Sequence, residues 1–242
     1  MKAMIFAAGV GTRLRPFTDS IPKALIPVGG TPLLEILIRK LTGVGFSQLV
    51  INVHHHARQI IRFLEEHENF GLSIEVSDES DWLLDTGGGL KKAAPMLQGQ
   101  GPFLLHNVDI LSAIRLEQLI DAHSRMPHAL ATLAVNARPA SRQLLVNGEN
   151  MLCGWQNAAT SEKIISRDEN GLKPVSFCGI HVVNPELTDM IIEEGAFSII
   201  ELYLRLARTE PIYVWPCNNE PWIDVGTPES LRKANENIGY YI

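Results

Sequence analysis

Only three cysteines occur in 242 residues, Cys153, Cys178 and Cys217, and no two of them form a Cys-x-x-Cys pair. So sparse and odd a set argues against a disulfide framework and against a structural zinc site, and it suits a reducing compartment. Long hydrophobic runs are also missing. The apolar N-terminal stretch is too short for a secretory signal and no small-residue cleavage site follows it. No run reaches the length of a membrane span. A membrane is therefore not an expected partner, and the cytoplasm is the expected location. Positive charge is in deficit: 21 Lys and Arg against 27 Asp and Glu give a net charge of −6. Such a chain does not attract nucleic acid as a whole, so any polyanion it binds must be held by a local cluster of cations. There is no linker, internal repeat or low-complexity tract. No hexapeptide repeat stands at the C-terminal end, so an appended β-helix acyltransferase is not expected. What remains is ordinary for a globular protein, with 45% hydrophobic and 20% charged residues.

Apolar runs bounded by turn residues predict strands over 2–6, 48–53, 72–76 and 102–107. Amphipathic stretches over 33–41, 57–66 and 89–97 predict helices between them. That alternation, with strands apolar along their whole length, predicts a Rossmann-like α/β fold: a mixed, mostly parallel sheet with helices on both faces. The second half is less regular. Strands are expected over 129–135, 143–146, 151–155, 175–183 and 212–215, and helices over 185–194, 198–208 and 228–237, with Thr227 as N-cap of the last. Ligands of such sheets bind beyond the carboxyl ends of the strands.

The first strand empties into Ala7-Ala8-Gly9-Val10-Gly11-Thr12-Arg13-Leu14-Arg15-Pro16, and Pro22-Lys23 closes the segment. Glycines let backbone N–H groups approach anionic oxygens, and fixed cations add full charges, so this is a phosphate-gripping loop. It is not a Walker A loop, which needs Gly-Lys followed by Ser or Thr. Nor is it the dinucleotide fingerprint, because Leu14 stands where a third small residue is required. Asp109 and Asp224 each end an apolar run, where a carboxylate is costly without a cationic partner. Two such aspartates can share one Mg²⁺, which takes one or two carboxylates plus phosphate oxygens and water. His54-His55-His56 puts His54 and His56 on one face of an extended segment. With no third ligand evident, a pocket-rim role is the better reading than a metal site. Arg138 and Arg142 can reach a carboxylate or a phosphate, and are equally at home in solvent.

The segment from Ala7 to Lys23 resembles the signature loop of the sugar-phosphate nucleotidyltransferases, the nucleoside-diphosphate-sugar pyrophosphorylases. The resemblance implies the nucleotide-diphospho-sugar transferase fold in one domain over 1–242. A nucleotide-binding half would cover about 1–110 and a sugar-phosphate-binding half about 111–242. It implies a reaction of an NTP with a sugar 1-phosphate to give an NDP-sugar and pyrophosphate, with Mg²⁺ held by Asp109 and Asp224. Val108 stands where the family usually has a glycine. Ala7, Ala8, Gly9, Gly11, Thr12, Arg13, Lys23 and Asn107 would bind nucleotide. Arg13 would hold the departing pyrophosphate, and Lys23 would stabilise charge at the α-phosphate. Asp85-Thr86-Gly87-Gly88-Gly89 is similar to the family's base-binding loop, with Gly87 and the upstream Glu79 as base contacts. Phe177-Cys178-Gly179-Ile180 resembles the strand that positions the sugar, so Gly179, Asn157 and Glu162 are expected there. The family's lysine for the sugar phosphate is missing at the corresponding strand end, leaving Lys163 or Lys173 as substitutes.

Within the family, the combined motifs are most similar to uridylyltransferases acting on N-acetylmuramic acid 1-phosphate, which makes UTP the expected nucleotide. Mannose-1-phosphate guanylyltransferases share much of the pattern, and cytidylyltransferases for a phospho-alcohol such as phosphocholine come third. Two readings come from other classes. One is a nucleotide-sensing module without turnover, which the intact Arg13, Lys23, Asp109 and Asp224 disfavour. The other is a dinucleotide-dependent oxidoreductase, which Leu14 disfavours.

Overall fold

The computed structural model describes residues 1–126 and 128–241. In chain order the strands are β1 (Lys2–Phe6), β2 (Pro27–Val28), β3 (Thr31–Pro32), β4 (Gln48–Val53), β5 (Ser73–Asp78), β6 (Phe103–Asn107), β7 (Ile110–Ser112), β8 (Ala131–Asn136), β9 (Arg142–Val146), β10 (Leu152–Asn157), β11 (Glu162–Ile165), β12 (Lys173–Val183), β13 (Ile212–Pro216) and β14 (Trp222–Asp224). The α-helices are α1 (Leu33–Val44), α2 (Ala57–Glu66), α3 (Asp85–Leu97), α4 (Leu116–Arg125), α5 (Glu186–Asp189), α6 (Ile199–Leu206) and α7 (Pro228–Glu236).

One ten-stranded sheet runs β11-β10-β9-β12-β6-β1-β4-β5, with β8 joined to β12 and β13 joined to β8. The four strands β6, β1, β4 and β5 are parallel, and β12 pairs antiparallel with β6. The mixed sheet expected from the sequence is thus present, parallel through β6, β1, β4 and β5 and covered on both faces. β1 shows why its run is apolar throughout. Ala3 and Ile5 face one core layer and Met4 and Phe6 the other, so neither face can be polar.

Several elements depart from the expectation. Helix α3 begins at Asp85, not Gly89, and takes the three glycines inside it. Their low helix propensity is overridden because all three are buried in close contact with other segments. The helix expected over 185–194 is only the four residues of α5. Helix α4 and strands β7 and β11 were not expected. The capping of α7 is as read: Thr227 accepts from Ser230 N–H in a capping box, with Pro228 at the first position.

A third small core lies at the carboxyl end of the parallel strands. It joins Leu14 of the glycine loop to Leu111, Val225, Leu231 and Ala234. Fully buried Leu14 therefore plugs the loop onto the β7–β14 pair and α7. Among the described residues, no helix is long and apolar enough to cross a membrane.

Candidate active site

The glycine loop, the β6–β7 turn and the end of β14 meet at the carboxyl ends of the parallel strands. Gly11 has φ +67°, and a Cβ there would lie 2.8 Å from Thr18 Cγ2. Its carbonyl accepts from Thr18 Oγ1 at 2.8 Å and from Leu14 N–H at 2.9 Å, which fixes the loop as a tight turn. With Leu14 turned inward, Arg13 is left exposed toward the cleft. Gly9, Gly11, Thr12, Arg13 and Lys23 line one side of a pocket of about 230 Å³, and Asn107, Val108 and Asp109 line the other. Val108, at the family's glycine position, supplies a buried apolar wall and donates its N–H to Phe6 O at 3.1 Å.

Lys23 is 8% exposed and is bonded to Asp109 Oδ2. Its Nζ also lies 4.0 Å from Asp224 Oδ1, and Arg13 approaches Asp224 Oδ2 at 3.7 Å. Gly226 makes this approach possible, since a Cβ there would be 2.7 Å from Asp224 Oδ1 and 2.8 Å from the Arg13 guanidinium. Burial pushes the Asp224 carboxyl up from its ordinary value, as does the charge of Asp109, while Lys23, Arg13 and Arg138 oppose them. Asp224 Oδ1 is buried without a hydrogen-bond partner. Two convergent carboxylates, one carrying an orphaned oxygen, suit a hard divalent cation.

Behind the loop lies a second pocket of about 460 Å³, lined by Phe6, Ala8, Gly9, Asn52, Leu83, Asp85, Thr86 and Ala196. Its size and its place beside the phosphate pocket suit a nucleobase. Three expected nucleotide contacts lie behind its wall instead, and these are corrections. Ala7 N–H already donates to Asn52 Oδ1 at 2.8 Å. Glu79 is 1% exposed and accepts from Asn52 Nδ2 at 2.7 Å and from Leu84 N–H at 3.1 Å. Burial raises its carboxyl above the ordinary value, and those two hydrogen bonds oppose the rise. Gly87 donates its N–H to Phe197 O at 2.9 Å, and a Cβ there would meet the Phe197 ring at 2.3 Å. All three are supports that shape the pocket. Asn52, which ties two of them together, was not expected. It is a polar residue inside an apolar strand, which was the available signal.

The third cleft, about 700 Å³, lies over β9, β10 and β11. Strand register builds its floor in rows. Arg142, Asn157 and Glu162 stand abreast, and so do Leu144, Trp155 and Ile164. The expected Asn157 and Glu162 thus line the cleft together. Lys163 pairs with Gln156 in the alternate row, so it faces the other side of the sheet. Lys173 sits opposite Val146 on β12 and is not in the cleft lining. Neither lysine lines this cleft. The cations of this cleft are Arg13, Arg138 and Arg142. Arg138 is held hard: it donates to Asn136 Oδ1 at 2.8 Å and Phe177 O at 2.7 Å, and stacks on Trp222 at 3.7 Å. Gly179 is also corrected. With φ +75°, it makes room for Asn107, whose Nδ2 would lie 3.0 Å from a Cβ there. It positions Asn107 rather than touching the cleft. Across the cleft stand Ser198, the N-cap of α6 and part of the Gly195-Ala196-Phe197-Ser198-Ile199 stretch that belongs to the resemblance, and Ile200 and Glu201 of α6, for which no motif gave a signal. His54 is tied at Nδ1 to Glu79 O at 2.7 Å, and no cluster of three metal-binding side chains exists among the described residues.

A family model, Nucleotidyl transferase, matches residues 2–152. An N-acetylmuramate alpha-1-phosphate uridylyltransferase of Neisseria meningitidis is 33% identical over 240 residues, covering 99% of both chains. An enzyme of the same name from Caulobacter vibrioides is 30% identical over 248 residues, covering 98% of this chain and 96% of the other. The structure of a UDP-glucose pyrophosphorylase from Acinetobacter baumanii superposes with a TM-score of 0.78 at 18% identity, covering 98% of this chain and 93% of that one. That last likeness is one of fold.

Proposed function

This chain belongs to the nucleotidyl transferase family, and from that premise we propose that it transfers uridylyl from UTP to N-acetylmuramic acid 1-phosphate, releasing pyrophosphate. The observation that carries the reading is the meeting of Lys23, Arg13, Asp109 and Asp224 at the glycine loop, between a base-sized pocket and a sugar-sized cleft. The choice of UTP and of the muramic sugar rests on the two relatives that match end to end. One domain carries the reaction, with the nucleotide held by about 1–110 and the sugar phosphate by about 111–242.

The sugar phosphate is already ionised at neutral pH, so its oxygen attacks the α-phosphorus in line without an enzyme nucleophile. Catalysis is then positioning plus stabilisation of charge. Backbone N–H groups around Gly9 to Thr12 cradle the phosphates. Arg13 neutralises the departing pyrophosphate. Lys23 turns on its four-carbon stem from Asp109 toward the α-phosphate. Arg138, locked over Trp222, faces the incoming phosphate in place of the missing lysine. Asp109 and Asp224 would hold Mg²⁺, which neutralises phosphate oxygens and aligns them when bound. The Leu144–Trp155–Ile164 row offers a flat apolar seat for the pyranose, and Asn157 and Glu162 accept or donate hydrogen bonds to its hydroxyls.

The test is pyrophosphate release with UTP, GTP, CTP and dTTP, each crossed with the 1-phosphates of N-acetylmuramic acid, mannose, glucose and N-acetylglucosamine, and with phosphocholine. The expected result is one dominant pair, UTP with N-acetylmuramic acid 1-phosphate, dependent on added Mg²⁺. A dominant GTP–mannose pair would replace the reading. Nucleotide binding with no turnover in any pair would make the chain a sensor.

A further inference from the structure

We propose that Arg142 grips a second anionic group on the co-substrate, so that the sugar cleft selects acidic sugar 1-phosphates through their carboxylate. The inference rests on the uridylyltransferase reading above and deepens it. The sugar cleft presents three guanidinium groups, yet a sugar 1-phosphate has one phosphate. Arg13 and Arg138 are accounted for at that end. Arg13 pairs with Asp224, and Arg138 is close enough to draw the Asp224 carboxyl down. Arg142 lies elsewhere. It opens β9 opposite Asn157, in the polar row that ends at Glu162. Among the described residues its side chain has no ion pair and no hydrogen bond, although Glu162 stands only two strands away. Neighbouring strands are about 4.8 Å apart, so these two backbones are separated by roughly 10 Å. Asn157 fills the middle of that span, so a ring substituent lying over the row meets Arg142 on one side and Glu162 on the other.

The chemistry of the row narrows what enters. Asn157 and Glu162 together offer donors and acceptors for neutral hydroxyls. A guanidinium has donors only, in a planar fork that matches a carboxylate through two parallel hydrogen bonds. For a neutral sugar the fork adds only ordinary hydrogen bonds to hydroxyl oxygens. It adds a full counter-charge for a sugar bearing an acid. The apolar row next to it, Leu144, Trp155 and Ile164, lines the same cleft and offers the ring a seat beside the Arg142 row. The lactyl carboxylate of N-acetylmuramic acid is such an acid. N-acetylglucosamine is the same ring without it.

The experiment compares N-acetylmuramic acid 1-phosphate with N-acetylglucosamine 1-phosphate, at saturating UTP and Mg²⁺, in the wild type, Arg142→Gln and Arg142→Lys. Arg142→Gln is expected to raise KM for the muramic substrate about 10- to 100-fold, the worth of a charge-assisted pair, with kcat within about threefold. Turnover of N-acetylglucosamine 1-phosphate should fall far less, because that sugar has no carboxylate for the fork to pair. Arg142→Lys should recover part of the preference, since it keeps the charge and loses the fork. A thermal melt unchanged from the wild type confirms that the exposed substitution leaves the fold intact. If the wild type prefers the muramic substrate and Arg142→Gln keeps that preference, or loses both substrates in parallel, the role of Arg142 is overturned while the activity stands. If the wild type does not use the muramic substrate at all, the activity reading fails and this inference falls with it.

Discussion

Lys23 is a loop lysine in the sequence, but in the structure it is a buried cation between two carboxylates. Two separate losses follow from removing its charge. Lys23→Met should lower kcat by roughly 10²- to 10³-fold, the worth of one preorganised charge at a transition state. It should also cost about 1–3 kcal/mol of stability, because Asp109 is left partly buried without its cation. Pyrophosphate release and urea unfolding read the two effects separately. Gly87 makes the opposite case. Gly87→Ala would push a methyl into the Phe197 ring, so it should destabilise by about 1–3 kcal/mol or more through overpacking. In a Phe197→Ala background the cost of Gly87→Ala should be smaller than in the wild type, since the ring is gone and the Phe197 carbonyl, 2.9 Å from the added Cβ, is the crowding that remains. Additive losses in the unfolding series would mean the contact is not what constrains Gly87. The two residues also show what a motif conveys. Asp109 and Asp224 were legible because a carboxylate ending an apolar strand has few reasons to be there. Glu79 and Gly87 were placed in the right neighbourhood, but a motif does not say whether an atom faces the ligand or the wall behind it.

At the scale of elements, the base pocket depends on one buried junction. Asn52 at the end of β4 accepts from Ala7 N–H, where β1 leaves the sheet, and donates to Glu79, where β5 turns toward α3. Glu79 in turn accepts from Leu84 N–H just before α3. Three chain segments are thus registered by a single side chain. Asn52→Ala leaves a buried N–H and a buried carboxylate oxygen unpartnered, at about 1–3 kcal/mol each. Stability should therefore fall by roughly 2–5 kcal/mol, and KM for the nucleotide should rise several-fold with KM for the sugar phosphate unchanged. Asn52→Asp should be little better, since it restores the acceptor for Ala7 but sets a second carboxylate against Glu79. Equal changes in both KM values would show that the junction serves the whole cleft and not the base pocket. The inner parallel strands β1, β4 and β6 were legible because burial on both faces writes a nearly continuous apolar run, whereas β5 at the sheet edge alternates exposed and half-buried residues over 73–76. Strand β11 was not, because all four of its residues are exposed, and only its register with β10 makes it a strand. Helix α3 was misplaced because glycine's low propensity argued against the turn that tertiary packing demands.

Across the whole molecule, the sheet separates two large cores, and each large face carries cost in buried imidazoles. His106 lies opposite Ile180 and His181 opposite Leu105 across the β6–β12 pairing, so the two face opposite cores, each with an Nε2 that has no partner. His181 is also bonded through Nδ1 to Tyr203 Oη at 2.6 Å. Burial lowers His106 from 6.5 to about 4. Burial, with a smaller effect from the charge of His106, lowers His181 from 6.5 to about 3. The unfolded chain takes up these protons near 6.5, whereas the folded chain refuses them until the pH is near 4 or below. Below about pH 6.5 the unfolded state therefore binds more protons, and folding stability falls as the pH drops. Each histidine contributes a slope of up to about 1.4 kcal/mol per pH unit over that window. Carboxylates that are paired in the fold add their own loss lower down, so the slope of the wild type alone does not isolate the imidazoles. His181→Phe does. It lowers stability at every pH by leaving the Tyr203 hydroxyl unpartnered, but it removes one proton from the linkage. Between pH 6 and pH 4.5, its urea-unfolding stability should decline less steeply than the wild type's by about 1.4 kcal/mol per pH unit. Parallel declines in the two proteins would mean that His181 is protonated in the fold at its ordinary value. The buried face of β12 would then carry a charge, and water would have to reach the core that the sheet otherwise seals.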